Sequence, residues 1–256
     1  MDEPRLGPIS APLVEAIIDI DCDLPPATDW DAVDAAARAA LALEYPTARK
    51  RMFNEHQIAA EPTGSVAVTS RQGLQALQYF TADERQIVQF RPAGFSFNRL
   101  APYTSLDDYL PEIERTWQAF VHIAQPTLCR TVRMRFIHRI VLPSTEGRVE
   151  IDEYLRLAPR LANEERFVFV GLFSQHSLLE PTTGNQANIV FATQDAELDR
   201  LPVILDIEVF KVADCEPGDW PIIAGRIDAL RALANVIFRN CLTDPCLRLF
   251  QPAAID

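Results

Sequence analysis

Residues 131–142, TVRMRFIHRIVL, alternate so regularly that they leave the segment one conformation. Read as a strand, one face carries Val132, Met134, Phe136, His138 and Ile140. The other carries Arg133, Arg135, Ile137, Arg139 and Val141. Successive strand side chains point to opposite faces, so this pattern needs a sheet with one buried side and one polar side. Residues 203–212 repeat the demand. Val203, Leu205, Ile207 and Val209 form an apolar side, and Ile204, Asp206, Glu208 and Phe210 form the opposite one. Residues 14–22, VEAIIDIDC, continue the period-two polarity. The DIDCD run places Asp19, Asp21 and Asp23 together on one side.

Helical segments punctuate these strands. Asp29 or Thr28 can cap a helix from Trp30 to about Leu43, which Pro46 ends. Ser105, followed three residues later by Asp108, starts a long helix over 106–123. Its stripe is Leu110, Ile113, Trp117, Phe120 and Val121. Asp219 and Pro221 open another that runs to about Asn240, and Thr243 can cap a last turn over 244–250. Strands are expected over 49–60, 66–69, 74–80, 86–91, 95–100, 167–178 and 188–193. A helix broken by Pro159 is expected over 149–161. The order reads as two β-α-β-β-β-α halves, 1–126 and 127–256, forming one compact unit without internal sequence identity. Strands that follow one another without intervening helices disfavour a doubly wound parallel sheet. The fold class is therefore α+β. Either two antiparallel sheets each carry a helix, or one curved sheet carries both long helices on one face.

Composition narrows function. Of 256 residues, 48% are apolar and 23% charged, a globular composition. The formal net charge of −12, with only two lysines (Lys50 and Lys211) against 22 arginines, argues against a nucleic-acid groove, which needs many cations on one face. No transmembrane helix or apolar leader is expected, no membrane partner is implied, and the cytoplasm is the expected location. Five scattered cysteines without a Cys-x-x-Cys read as reduced thiols. Gly-x-Ser-x-Gly and Gly-x-Gly-x-x-Gly are both missing, and the nine glycines do not cluster into a phosphate loop. No metal and no cofactor is expected. The Asp19-Asp21-Asp23 run reads as an exposed edge strand made unattractive to other edges, with a divalent-cation site as the sharper alternative.

Three arginines on one strand repel unless water or carboxylates compensate them. They form either a solvated face with salt bridges or an anion-binding face. Asp206 and Glu208 are the natural partners of Arg133, Arg135 and Arg139 if the two strands are neighbours. Other candidate ligand or interaction residues are Asn98 and Arg99 at a strand end, Tyr103 just after it, His138 on an apolar strand face, and Asn235 inside an apolar helix. His138 reads first as a core histidine, and Asn235 as a buried amide that ties its helix to the sheet.

Several motifs together resemble a sporadically distributed, uncharacterised family of prokaryotic proteins of similar length. They are a Pro-x-x-Glu-x-x-x-x-Ile start of the first strand (Pro12, Glu15); F-x-x-N-R-L with a following tyrosine (Phe95, Asn98, Arg99, Leu100, Tyr103); R-x-R-F-x-x-R-I (Arg133, Arg135, Phe136, Arg139, Ile140); L-D-I-E-x-F (Leu205, Asp206, Ile207, Glu208, Phe210); and A-N-x-x-F-x-x-x-L-T-D (Ala234, Asn235, Phe238, Leu242, Thr243, Asp244). His138 stands where the resemblance leads one to expect asparagine. The resemblance implies a whole-chain unit and a patchy distribution suggestive of mobile or defence-associated genes, and no known activity. Two functions follow as expectations. One is a non-enzymatic binding or interaction protein with a protein partner, a homodimer included. The other is an enzyme or sensor for a small anionic ligand, phosphorylated or nucleotide, held by Arg133, Arg135, Arg139 and Arg99 with Asp206 or Glu208 as acid or base.

Overall fold

A computed structural model describes residues 12–60, 66–144, 149–156, 171–195, 197 and 200–250. The first stretch contains β1 (Leu13–Asp23), α1 (Trp30–Leu41), β2 (Thr47–Ala60), β3 (Val66–Phe80), β4 (Gln86–Arg91), β5 (Gly94–Leu100) and α2 (Leu106–Ala124). The second contains β6 (Leu128–Pro143), α3 (Ile151–Tyr154), β7 (Phe173–Leu179), β8 (Gln186–Thr193), β9 (Arg200–Cys215), α4 (Trp220–Cys241) and α5 (Asp244–Arg248). The protein is α+β. All nine strands join one antiparallel sheet in the order β2-β3-β4-β5-β1-β6-β9-β8-β7.

This order answers the question of one sheet or two, because β1 and β6 pair directly, with Ile20 opposite Val132 and Ile18 opposite Met134. The element order is not two strict copies of β-α-β-β-β-α. Four strands follow α1, since Pro92 and Gly94 turn the chain between β4 and β5, whereas three follow α3. The two segments expected at 66–69 and 74–80 are one strand, β3. Gly73 does not break it; it leaves room for the ring of Phe53 on β2, which a Cβ there would meet at 2.5 Å. The helix expected over 149–161 is a single turn. Beyond it Leu155 is extended and bridges Leu242, and the Arg156 N–H donates to Cys241 O at 2.9 Å. Backbone pairing with the end of α4 thus overrides local helix preference, and residues 157–161 lie outside the described residues. The strand expected from Phe167 begins at Phe173, with 167–170 also outside them.

The helices seal one face. Asp29 caps α1 by accepting from the N–H groups of Asp31 and Ala32, and Val33, Ala37 and Leu41 are buried at helical spacing. Ser105 caps α2, which buries Ile113, Trp117 and Phe120. Phe95 meets Trp117 edge-on at 5.6 Å, and Phe90 meets Phe120 at 5.0 Å. Trp117 Nε1 donates to Pro217 O at 3.1 Å, which satisfies its one polar atom in the core. α4 lays Ile223, Ile227, Leu230 and Ile237 beside β6 and β9. A single cluster of buried apolar residues includes side chains from α1, α2, α4 and the inner strands.

Gly94 sits at the tightest point. Its φ of +135° suits glycine alone, and a Cβ would lie 2.1 Å from Ile20 O. Gly94→Ala should therefore lower stability by at least about 2 kcal/mol. A urea midpoint indistinguishable from wild type would contradict this packing.

Candidate functional site

The sheet face opposite the helices carries the charge. Its parity follows from the register. Glu15, Asp19 and Asp21 on β1 alternate with the buried Ile18 and Ile20, and Arg133 and Arg135 on β6 alternate with the buried Val132 and Met134. Asp206 and Glu208 on β9 alternate with the buried Leu205 and Ile207. Contrary to the expectation for the aspartate run, β1 is a central strand and not an edge.

These side chains form a hydrogen-bonded lattice. Arg135 grips Asp206 with both Nε, at 2.9 and 3.1 Å, and Nη2, at 2.5 Å. Arg133 lies between Asp21 Oδ2 at 3.3 Å and Glu208 Oε1 at 3.2 Å, with its guanidinium 5.5 Å from the Phe210 ring centre. Both arginines lean one residue pair along β9: Arg135 lies opposite Glu208 but takes Asp206, and Arg133 lies opposite Phe210 but takes Glu208. Such diagonal neighbours are within reach of long side chains. Glu208 also accepts from Asn188 Nδ2 at 2.9 Å, and Ser177 Oγ donates to Asn188 Oδ1 at 2.9 Å.

On the other side of β1, Arg91 contacts Asp19 at 3.1 Å and Asp21 at 3.3 Å. Arg91 belongs to β4 and reaches across β5 at Gly94, the residue opposite both Arg91 and Asp21. Ser96 Oγ donates to Asp19. A second chain of bonds runs through amides: Gln78 to Gln89 at 3.0 Å, Gln89 to Asn98 at 2.8 Å, and Asn98 Nδ2 to Glu15 at 2.8 Å. Asn98 is only 6% exposed, and both ends of its amide are satisfied.

The structure thus brings together Asn98, Arg133, Arg135, Asp206 and Glu208 on one sheet face. Arg139 lies on the same face but turns away from Asp206 and Glu208; its Nε donates to Gln194 at 3.1 Å and its Nη2 to Glu197 at 2.5 Å. Arg99 cannot join a common arginine site. It alternates with Asn98 onto the helix side, stacks 5.1 Å over Tyr109, and Tyr103 packs on the same Tyr109 ring at 5.5 Å. The space among Arg99, Tyr103 and Tyr109 is about 10 Å³, no more than one water would need. Asn235 is half-buried on α4, the opposite side from the lattice. Sequence reasoning missed Glu15, Arg91, Gln89 and Asn188 as lattice members. Gln89 and Arg91 do alternate with the buried Val88 and Phe90, which is the signal that marks them for the polar face.

His138 lies in the core, 8% exposed, with Nδ1 3.2 Å from Leu205 O and its ring 4.5 Å from Phe238. The carbonyl can only accept, so Nδ1 carries the proton of a neutral ring. Burial pushes its pKa down to about 4, and the contact with Leu205 O offsets only part of that. Among the described residues, no group of three or more His, Cys, Asp or Glu side chains is arranged to hold a metal ion. No helix among them is long and apolar enough to cross a membrane. Neither a known protein-family profile nor any curated protein sequence matches this chain.

A histidine kept neutral when folded takes up a proton more readily when unfolded. Stability should therefore be full above about pH 6.5 and fall as pH drops toward 4, by about 2 kcal/mol between pH 7 and 5. His138→Asn should flatten that slope in urea titrations run at several pH values. An unchanged slope would mean that another group sets it.

Proposed function

We propose that the protein is a non-enzymatic binding protein whose open sheet face is a rigid platform for a protein partner. The observation that carries this reading is that the arginines are spent. Arg91, Arg133, Arg135 and Arg139 each meet a carboxylate of the same chain. A guanidinium held by a carboxylate must break that pair before it can take a phosphate, so the lattice favours rigidity over anion capture. Apolar groups accompany it on the same face: Phe173 and Leu179 on β7 are 71% and 62% exposed, and Val212 on β9 is 60% exposed. Exposed aromatic and aliphatic groups next to fixed polar ones are the materials of a protein interface. The net charge of −12 would steer a partner with a basic surface. A second copy of this chain carries the same charge, so a homodimer would rest on the apolar contacts.

One feature of the lattice supports a second reading, binding of a small anion. The Nε atoms of Arg91 and Arg133, on either side of Asp21, are buried without a hydrogen-bond partner. A buried donor left unsatisfied is costly, and an anion or an ordered water would relieve it.

The strand order is mirrored about the β1–β6 pair, with β5-β4-β3 on one side and β9-β8-β7 on the other, which supports descent of the two stretches from one β-α-β-β-β-α unit. All five cysteines are free, which supports a reducing compartment such as the cytoplasm.

A thermal-shift screen with nucleotides and sugar phosphates separates the two functional readings. The platform reading expects no shift, and loss of a co-purifying basic protein when Phe173 and Leu179 are both changed to Asp. A ligand present at a hundred times its dissociation constant would add about 2.7 kcal/mol. Such a shift, removed by Arg133→Ala, would establish the anion reading instead.

A further inference from the structure

Three cysteines that the sheet lattice does not use share one rung. In register, Cys129 on β6 faces Cys22 on β1 and Cys215 on β9. The Sγ atoms of Cys22 and Cys129 are 3.8 Å apart, and Cys215 is the register partner of Cys129 on its other side. Residues scattered over almost the whole chain are thus brought into a row of adjacent thiols at one end of the sheet. Neighbouring antiparallel strands place paired Cα atoms about 4.5–5.5 Å apart, inside the range that a disulfide spans.

The row is asymmetric. Cys22 and Cys129 are buried, and Cys215, at the last position of β9, is partly exposed. The guanidinium of Arg226 on α4 reaches Cys215 Sγ at 3.3 Å while it also binds Ala213 O at 2.6 Å and Asp214 O at 3.0 Å. The donors of that arginine go to two carbonyls and a thiol. Hydrogen bonds from Cys22 and then from Cys215 lower the Cys129 thiol, whereas burial pushes Cys215 up to about 11. Burial pushes Cys241 up to about 11 and Cys246 up to about 12.

We propose that Cys215 and Cys129 form a reversible oxidation site, in which Cys215 meets a hydroperoxide and Cys129 resolves the product to a disulfide. In the first step Cys215, beside the Arg226 guanidinium, attacks one peroxide oxygen as its S–H proton passes to the departing oxygen. An S–O bond forms, the O–O bond breaks, and the alcohol (water, from hydrogen peroxide) leaves with a proton, giving Cys215 sulfenic acid. In the second, the Cys129 thiolate attacks that sulfur. The S–S bond forms, the S–O bond breaks, and hydroxide leaves and is protonated by solvent. Two thiols lose two electrons and two protons, and the peroxide is reduced to alcohol and water. Exposure selects Cys215 for the first step, and burial beside it selects Cys129 for the second. The disulfide would tie β6 to β9 directly beneath the start of α4.

The test uses the full chain treated with one equivalent of hydrogen peroxide, alkylated under denaturing conditions and mapped by mass spectrometry. The expected product is a Cys129–Cys215 disulfide reversed by dithiothreitol, with Cys241 and Cys246 recovered alkylated. Cys215→Ser should abolish the disulfide at that dose. Cys129→Ser should instead leave a Cys215 sulfenic acid that a 1,3-dione traps. The wild-type map needs no variant to fold. Sulfinic acid at Cys215 without a cross-link, or oxidation spread evenly over all five cysteines, would overturn the proposal. So would a disulfide at Cys129 that still forms in Cys215→Ser.

Discussion

Asp21 sits in the middle of a nine-stranded sheet because an arginine reaches it from each side. Carboxylates on a central strand would ordinarily oppose sheet formation, since each loses part of its hydration and repels the next. Here Arg133 comes from the adjacent strand, and Arg91 comes from two strands away over Gly94. The geometry binds several features together. Gly94 must lack a side chain, β4 and β5 must form a tight hairpin, and β6 must lie next to β1 in the register that aligns Val132 with Ile20. These pairs keep partial contact with water, so each contributes modestly; their larger effect is to penalise any other strand order.

The two faces of the sheet divide the labour. The helix side supplies burial, with Trp117, Phe95 and Phe120 in contact across α2 and β5. The open side supplies register, because a slip of one residue would exchange Ile20 for Asp21 on the apolar face. His138 shows how firmly the division is kept. It takes an apolar-face position between Ile137 and Arg139 and is held there as a neutral ring.

Much of this was legible because alternation is local. The faces of β1, β6 and β9 and the caps Asp29, Ser105, Asp219 and Thr243 follow from residues a few positions apart, and the pairing of Arg133 and Arg135 with Asp206 and Glu208 follows from those faces once β6 and β9 are neighbours. What was not legible depends on which strands are neighbours. Arg91 and Asp21 are 70 residues apart and meet only because β5 and β1 pair. Arg139 finds Glu197, outside any strand, in place of the strand carboxylates. Arg99 looked like a fourth member of the arginine group until alternation put it with the aromatic rings of the helix side. The short α3 fails as a helix prediction for the same reason: Leu155 pairs with Leu242, far along the chain.

The central claim is that the arginine face is bound to its own carboxylates. A double-mutant cycle between Arg135 and Asp206, read from urea unfolding of the two single variants and the double, tests it most directly. The account predicts a favourable coupling of roughly 0.5–1 kcal/mol, as expected for a well-aligned, partly exposed pair. A coupling near zero, together with a phosphorylated metabolite whose binding Arg135→Ala abolishes, would contradict it.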